Sequence, residues 1–123
     1  MECVFCDIIK NNKEVIFESD LCVAFFDSHP VSVGHMLIIP KRHCETYFEL
    51  TKEEMNDMFL LSKRIKEYLD QEYQPDGYNV GFNCKEAAGQ TVMHAHMHVI
   101  PRYKGDVENP RGGIRKAVPR KKF

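Results

Sequence analysis

The sequence predicts an α+β domain built on an antiparallel sheet, and the order of its apolar patterns is the reason. Short β-type runs precede one long amphipathic helix, and further β-type runs follow it. Strands that follow one another without an intervening helix favour antiparallel pairing, because parallel strands need a long crossover connection. The length of 123 residues is also typical of one domain.

The N-terminal third predicts a short helix and three strands. Residues 4–9 carry apolar side chains at helical spacing, and residues 15–17 resemble a strand. Residues 21–27 form a β-rich apolar run that is typical of a buried strand, and a Ser-His-Pro sequence ends it. Residues 35–39 predict a second buried strand. The connecting loop contains one proline and one glycine, so we expect these two strands to pair antiparallel.

The middle of the chain predicts one long helix over residues 51–73. Thr51 and Glu54 have the spacing of a capping box, in which each residue binds the other's backbone N–H group. Apolar residues then recur at intervals of three and four: Met55, Met58, Leu61, Ile65 and Tyr68 or Leu69. The Pro-Asp-Gly sequence that follows ends the helix.

The C-terminal third predicts two strands and a basic tail. Apolar and polar residues alternate over residues 78–83, residues 84–91 form a loop, and residues 92–100 form the last clear strand. We therefore place the domain at residues 1–103. Residues 104–123 form a basic tail that we expect to be mostly irregular, because it contains several prolines and glycines.

Composition and charge exclude several classes of protein. Seventeen basic and 18 acidic residues give a net charge of −1, with about +6 after Pro101 and −7 before it, so nucleic-acid binding is not indicated. No apolar run approaches the roughly 20 residues of a membrane span, and the first residues do not resemble a signal peptide. We expect a cytoplasmic protein. Five cysteines without regular spacing do not predict a disulfide framework.

Three histidines alternate along the last strand, at His94, His96 and His98. Alternate residues of a strand share one face, so the pattern predicts three imidazoles side by side, with Met93, Ala95, Met97 and Val99 facing a core. Burying such a row for packing alone is costly, and histidine is suited to nucleophilic and proton-transfer chemistry near neutral pH. Catalysis is therefore our first interpretation. A metal site and a solvated strand face are the alternatives.

The segment His94-Ala-His-Met-His-Val-Ile100 resembles the His-φ-His-φ-His-φ-φ signature of the HIT (histidine triad) family. The similarity covers roughly residues 3–103, and its other segments are Phe25-Phe26-Asp27, Pro30-Val31, Gly34-His35, Ile38-Ile39-Pro40-Lys41, Phe82-Asn83 and Ala88-Gly89-Gln90-Thr91-Val92. The chain looks like a member of the small branch of the family and is similar to the histidine triad nucleotide-binding proteins and bacterial HIT-like hydrolases. The resemblance implies a five-stranded antiparallel sheet with one long and one short helix. It also implies a homodimer in which two such sheets form one sheet of ten strands.

The resemblance further implies a hydrolase or transferase that acts on nucleoside phosphates with a substituted α-phosphate. His96 would be the nucleophile and would form a nucleotidyl-histidine intermediate that water then hydrolyses. His98 would contact the phosphate oxygens and, with His35, hold charge and geometry, while His94 would orient the strand. The alternative within the same fold is a non-catalytic adaptor that binds nucleotides.

The nucleotide contacts implied by the resemblance belong to an AMP or GMP moiety. Asn83 and Gln90 would donate to phosphate, and Thr91 and Val92 would bind phosphate or the leaving group. Asp27 would accept from the two ribose hydroxyls. The base pocket would be lined by Val4, Phe5, Ile8 and Phe25. Taken singly, the polar residues are equally typical of turns or surface amides, and the apolar ones of a core.

Two cysteines close in sequence and two distant histidines are a common ligand set for structural zinc. Cys3, Cys6, His43 and His94 form such a set, and related branches of the family use similar residues in this way. The alternatives are free thiols with a surface or phosphate-binding His43, and a zinc-dependent redox or regulatory protein centred on the Cys-x-x-Cys segment. Such a redox protein has no need of three alternating histidines.

Overall fold

The computed structural model describes residues 2–119, and within that range the chain forms two helices and five strands. The helices are α1 (Val4–Asn11) and α2 (Lys52–Tyr73). The strands are β1 (Phe17–Glu18), β2 (Cys22–Phe26), β3 (Met36–Pro40), β4 (Gly77–Gly81) and β5 (Met97–Arg102). Short 3₁₀ turns occupy Tyr47–Glu49, Glu86–Ala88 and Gly113–Ala117. Residues 120–123 of the predicted tail lie outside the described residues.

The strands form one antiparallel sheet in the order β1-β2-β3-β5-β4, which confirms the predicted fold class. Phe25 lies opposite Leu37, Leu37 opposite His98, and His98 opposite Gly81. The last strand is therefore inserted between β3 and β4 rather than added at an edge. This order places His98 in the interior of the sheet and leaves β4 at one edge.

Each face of the sheet carries its own apolar layer. One face, with Ala24, Met36 and Ile38, packs against the inner side of α2. The opposite face, with Phe25 and Leu37, packs against Phe5 of α1. The helix on this second face has eight residues, whereas α2 has 22. The second face is therefore only partly covered.

The capping box at the start of α2 is confirmed. Thr51 Oγ1 accepts from the backbone N–H of Glu54, and Glu54 Oε1 accepts from the backbone N–H of Thr51. The buried stripe consists of Glu54, Met58, Leu61, Ile65 and Leu69. Met55, which was predicted to belong to this stripe, is 39% exposed, so that part of the prediction is wrong. Within residues 2–119 neither helix is long and apolar enough to cross a membrane.

Several predicted strand boundaries are corrected. The strand predicted over residues 92–100 begins only at Met97, because the backbone before it bends away and Ala95 N donates to Cys44 O at 2.7 Å. The strand predicted over residues 78–83 ends at Gly81, and Val80 is 44% exposed because β4 is an edge strand. The strand predicted over residues 15–17 is the two-residue β1. The two buried strands, predicted over residues 21–27 and 35–39, each differ from the prediction by one residue at both ends.

Gly34 sits where the chain turns into β3, with a φ of +92°. A Cβ atom at this position would lie 3.0 Å from Tyr73 and 3.2 Å from Leu69, both at the C-terminal end of α2. Glycine is therefore required by both backbone conformation and space. The turn sets the direction in which His35, the next residue, leaves the backbone.

A buried carboxylate joins the loop after β3 to the start of α2. Glu54, whose side chain is 5% exposed, accepts from Arg42 Nε at 3.0 Å and from Arg42 Nη2 at 2.8 Å. Arg42 Nη2 also donates to Glu49 O at 2.8 Å. The hydrogen bonds from the Arg42 guanidinium hold the pKa of Glu54 below its usual range, despite the opposing effect of burial.

We expect Glu54→Gln to lower the free energy of unfolding at pH 7 by about 1–3 kcal/mol, since it leaves Arg42 without its charged acceptor. Because the folded-state pKa of Glu54 is depressed, this stabilisation is present above the unfolded pKa of about 4.3 and is lost as pH falls through the folded-state value. Urea unfolding at several pH values should show the two proteins converging below about pH 4. Glu53→Gln, an exposed change in the same helical turn, is the control. A pH-independent difference would contradict the role of the Glu54 charge.

Candidate active site and metal centre

A cavity of about 730 Å³ opens on the face of the sheet that α1 only partly covers. We call it the main cavity. Its apolar wall includes Val4, Phe5, Ile8, Phe25 and Val92. Its polar lining includes Asp27, His35, Asn83, Thr91, His96 and His98. Of the residues predicted to bind substrate or act in catalysis, the structure thus brings together all but Gln90.

The three alternating histidines do not form the continuous row that was predicted. Only His98 lies within the regular strand, because β5 begins at Met97. His94 is completely buried and points away from the main cavity toward Cys3 and Cys6. His96 and His98 line the cavity, with ring centroids 5.0 Å apart.

The residues between the histidines also differ from the prediction in one place. Ala95 and Val99 are buried in the core beneath α2, and Met97 packs against that core, as expected. Met93 is 39% exposed and does not face a core. It lies in the bent segment before β5, where the strand alternation does not apply.

The protonation of His96 follows from its hydrogen bond. Nδ1 of His96 lies 2.8 Å from the carbonyl oxygen of His94. A carbonyl oxygen only accepts, so Nδ1 carries the ring proton and Nε2 keeps its lone pair. The rings of Phe5 and His96 pack in a T-shaped contact, and burial lowers the pKa of His96. His96 is therefore a neutral imidazole with a free nucleophilic nitrogen.

A chain of hydrogen bonds sets the tautomers of His35 and His98. Val31 N donates to His35 Nδ1 at 3.2 Å, so the ring proton of His35 lies on Nε2. His35 Nε2 is 3.0 Å from His98 Nδ1 and 3.4 Å from Asp27 Oδ2. His98 therefore accepts at Nδ1 and carries its own proton on Nε2.

The Nε2–H group of His98 is buried and has no hydrogen-bond partner within residues 2–119. Burial, with the neighbouring His96 and His35, lowers the pKa of His98 to about 4, so the ring is neutral at pH 7. An unpaired donor in a buried position costs free energy unless a ligand binds it. His98 therefore offers one N–H group to an acceptor bound in the main cavity.

Asp27 combines the predicted roles of a turn residue and a cavity residue. Its Oδ1 accepts from His29 N at 2.9 Å, which is the local contact of a turn-forming aspartate. Its side chain is 17% exposed and lines the main cavity. Asp27, His35 and His98 also lie close enough to hold a metal ion. The hydrogen bond from Val31 N to His35 Nδ1 disfavours metal binding here. It keeps the ring proton on Nε2, the nitrogen that faces Asp27 and His98 and would have to bind the metal.

Gln90 does not line the main cavity, and its predicted role as a phosphate donor is corrected. Its Nε2 donates to Glu45 O at 2.6 Å and to Val92 O at 3.0 Å. Its Oε1 accepts from Lys85 N at 2.7 Å. Gln90 is 3% exposed, and the three hydrogen bonds of its amide hold the loop before β5 in place. Gln90 therefore positions Thr91 and Val92, which do line the cavity.

The four predicted metal ligands meet behind the main cavity. Cys3, Cys6, His43 and His94 each bring one ligand atom into a single group. Nδ1 of His94 is 3.5 Å from Cys3 Sγ and 3.6 Å from Cys6 Sγ, and Nδ1 of His43 is 3.3 Å from Cys6 Sγ. Tetrahedral zinc holds sulfur and nitrogen ligands about 3.5 Å apart. The donor atoms therefore fit a closed four-coordinate ion.

The second nitrogen of His94 supports this assignment. Nε2 of His94 is 2.8 Å from the carbonyl oxygen of Pro40, so it donates its proton there and leaves Nδ1 free to ligate. An outer hydrogen bond that fixes the tautomer is usual for a metal-bound histidine. All five cysteines of the chain are free thiols in the structure.

Sequence reasoning missed the residues that act through backbone atoms. Val31 orients His35 through its N–H group, and Pro40 orients His94 through its carbonyl oxygen. Any residue type can supply a carbonyl oxygen, and nearly any can supply an N–H group, so no pattern in the sequence could have identified them. Leu37 and Glu14 also line the main cavity. In the sequence, Leu37 cannot be distinguished from other apolar strand residues, and Glu14 cannot be distinguished from other charged loop residues.

Comparison with known proteins places this geometry in a family. The model of the HIT domain matches residues 9–105. A bis(5'-adenosyl)-triphosphatase from Dictyostelium discoideum is 40% identical over 96 residues, which are 78% of this chain and 64% of that protein.

Two solved structures carry the same fold. A HIT family protein from Bacillus anthracis superposes with a TM-score of 0.80 at 38% identity, covering 85% of this chain and 76% of that one. A zinc-bound histidine triad family protein from Mycobacterium smegmatis has a TM-score of 0.78 at 35% identity, covering 86% and 78%. The family match, the sheet and the histidines that line its cavity agree: the chain belongs to the HIT family.

Proposed function

We propose that the protein hydrolyses nucleoside phosphates that carry a substituent on the α-phosphate, through a nucleotidyl intermediate on His96. The observation that carries the proposal is the pair of complementary histidines in the main cavity. His96 has a free Nε2 lone pair, and His98 has an unpaired N–H donor. Phosphoryl transfer needs a nucleophile in line with the phosphorus atom and donors for its oxygens.

The proposed reaction has two displacements at phosphorus. In the first, Nε2 of His96 forms a bond to the α-phosphorus, and the bond to the substituent breaks with its electron pair going to the departing atom. A departing nitrogen takes a proton from solvent. In the second, water attacks the same phosphorus, the nitrogen–phosphorus bond breaks, and the water releases one proton. His98 donates to a phosphate oxygen in both steps, and His94 O holds His96 in the reactive tautomer.

The main cavity suits a nucleoside monophosphate moiety. Its apolar wall, with Phe5 and Phe25, can hold a base, and Asp27, which lines the same cavity 3.4 Å from His35, can accept from a ribose hydroxyl. Asn83 and Thr91 supply further polar groups. The name of the Dictyostelium relative supports cleavage of a nucleotide phosphate bond.

We expect His96→Ala to lower turnover of adenosine 5'-phosphoramidate by about a thousandfold or more, because no other group supplies the nucleophile. AMP release is measured by chromatography. Binding of AMP by calorimetry and thermal melting should change little, which separates a chemical defect from unfolding. Mass spectrometry of wild-type protein quenched and kept at alkaline pH, where the nitrogen–phosphorus bond is stable, should detect the nucleotidyl adduct, and the variant should lack it. Turnover of the variant within threefold of wild type would refute the assignment; AMP binding without turnover by wild type would favour the adaptor.

We further infer that Cys3, Cys6, His43 and His94 bind a structural zinc ion. The spacing of their donor atoms supports this, as does the zinc-bound relative from Mycobacterium smegmatis. When bound, the ion would tie α1 to the loop after β3 and to the segment before β5. It takes no part in the two displacements.

Protein purified without chelators should contain about one zinc ion per chain, and Cys6→Ser should lose most of it because a closed site needs all four ligands. Elemental analysis measures the metal, and the melting temperature should fall with it, since metal binding is coupled to folding. Cys84→Ser, a change outside the ligand group, is the matched control. Absence of zinc together with unchanged melting on its addition would reject the site.

We also propose a homodimer that joins two five-stranded sheets at β4. This strand is at the sheet edge, so its outer backbone groups have no strand partner among the described residues. The helix α2, whose Asp70 accepts from Tyr78 of β4, exposes Met55, Phe59 and Leu60 at 39%, 56% and 52%. An open sheet edge and exposed apolar residues are each typical of an association surface.

Light scattering across a hundredfold dilution should give about twice the 14.3 kDa mass of one chain. Phe59→Glu should shift the population toward monomer, because it places a charge in the contact. Phe48→Glu, at a 79% exposed position outside α2, should not. A mass near one chain at every concentration excludes the dimer. A wild-type dimer that Phe59→Glu leaves intact places the contact elsewhere.

A further inference from the structure

Glu14 is a carboxylate of the main cavity that the proposed function does not use. It lies in the connection between α1 and β1 and lines the cavity. The next residue, Val15, packs with the apolar cluster that contains Phe5, Ile8 and Phe25. Glu14 therefore lies at the rim of the apolar wall that the proposed function assigns to the base.

The backbone of Glu14 is left-handed, with a φ of +66°. Within residues 2–119 the other non-glycine residues with positive φ are Asn12, Gln74 and Lys85, and each lies at a cap position of a helix or 3₁₀ turn. Glu14 lies at no cap position, and its backbone forms no hydrogen bond to another described residue. A conformation that glutamate rarely adopts is thus kept at a cavity residue, where such strain is commonly associated with binding.

The carboxylate of Glu14 has no cationic partner. Within residues 2–119 it forms no ion pair, and none of the described residues that line the main cavity is lysine or arginine. The other carboxylate of the cavity, Asp27, already accepts from His29 N at 2.9 Å and lies 3.4 Å from His35 Nε2. A carboxylate only accepts hydrogen bonds, so Glu14 offers two acceptor oxygens to a ligand that presents donors.

The sheet separates Glu14 from the nucleophile by roughly the length of a nucleotide. Two strands, β2 and β3, lie between β1 and β5. Three strand spacings correspond to about 14 Å, which a nucleoside monophosphate and a glutamate side chain together can span. The register in which Phe17 lies opposite Ala24 also brings the segment before β1 alongside the segment after β2, which contains Asp27. A nucleotide with its phosphate at His96 and its ribose at Asp27 would therefore extend its base toward Glu14.

Purine bases differ in what they present to a carboxylate. Guanine has two donors side by side, the N1–H group and the N2 amino group, which two carboxylate oxygens can accept together. Hypoxanthine keeps N1–H and lacks the amino group. Adenine has one donor, the N6 amino group, beside the lone pair of N1, which the second carboxylate oxygen repels. Paired hydrogen bonds to a charged group are strong, and a site built on them discriminates against a base that lacks the donors.

We propose that Glu14 recognises the base, and that the protein prefers guanine nucleotides to adenine nucleotides. The two oxygens of the carboxylate accept from the N1–H and N2 amino groups of a guanine that the apolar wall holds. Glu14 is a specificity-determining residue and takes no part in the displacements at phosphorus. The inference rests on the proposed function and specifies the base of its substrate.

The test compares the affinities of GMP, IMP and AMP by calorimetry. We expect wild-type protein to bind GMP about tenfold more tightly than AMP, with IMP between them, because each lost donor removes a hydrogen bond to a charged acceptor. Glu14→Gln should bring the ratio of GMP to AMP affinity close to one, since an amide has one acceptor and one donor and can pair with either purine. Glu18→Gln removes the same charge at an exposed position outside the cavity and should leave that ratio unchanged.

A second variant separates recognition of the base from a structural role. Glu14→Gly should also lose the preference for GMP, while its melting temperature should not fall, because glycine adopts the left-handed conformation without strain. A lower melting temperature together with an equal loss of affinity for all three nucleotides would assign Glu14 a structural role and overturn the proposal.

The outcomes also separate this proposal from the hydrolase. Equal affinity of the wild-type protein for GMP and AMP, no binding of either, or an unchanged ratio in Glu14→Gln overturns the role of Glu14. Release of AMP from adenosine 5'-phosphoramidate would still support the hydrolase in that case. A preference for GMP that Glu14→Gln abolishes supports the role of Glu14 even if neither adenosine nor guanosine 5'-phosphoramidate is cleaved, and the hydrolase alone then fails.

Discussion

The hydrogen bond from His96 Nδ1 to the carbonyl oxygen of His94 is the interaction on which the site depends. It fixes the tautomer of His96 and so determines which nitrogen faces the main cavity. The backbone bends at residues 92–94, before β5, and the side chains of His94 and His96 lie in different places. One short segment thereby supplies a proposed ligand of the metal centre and the proposed nucleophile of the main cavity. Neither would be correctly placed if residues 92–96 continued as a regular strand.

Backbone groups hold the other imidazoles in the same way. Pro40 O sets the tautomer of His94, and Val31 N sets that of His35, which in turn sets that of His98. Neutral rings with defined protons are the result, and burial keeps them neutral by lowering the pKa values of His94, His96 and His98. The carbonyl and N–H groups that fix these protons are oriented dipoles, which preorganise the electrostatics of the site.

Local signals in the sequence were enough to predict the helix α2 and the antiparallel sheet, whereas the residues predicted to line the main cavity were assigned through the resemblance to the HIT family. The capping box at Thr51 and the apolar spacing act within one element, so they can be read without knowledge of the fold. The bend before β5 could not be predicted, because it depends on Cys44 O accepting from Ala95 N across the structure. Gln90 was assigned to phosphate from the family resemblance, whereas in the structure its amide donates to the carbonyl oxygens of Glu45 and Val92, and only the fold brings Glu45 there.

The helix α1 has only eight residues, fewer than an isolated helix needs to persist in water. Its stability must therefore come from docking on the sheet through Phe5 and from contacts around Cys3 and Cys6. Segments that depend on docking open at lower free energy than the global unfolding of the core. Since α1 forms one wall of the main cavity, local opening of this helix exposes the cavity while the sheet and α2 stay folded. Amide hydrogen exchange in α1 therefore reports on access to the site.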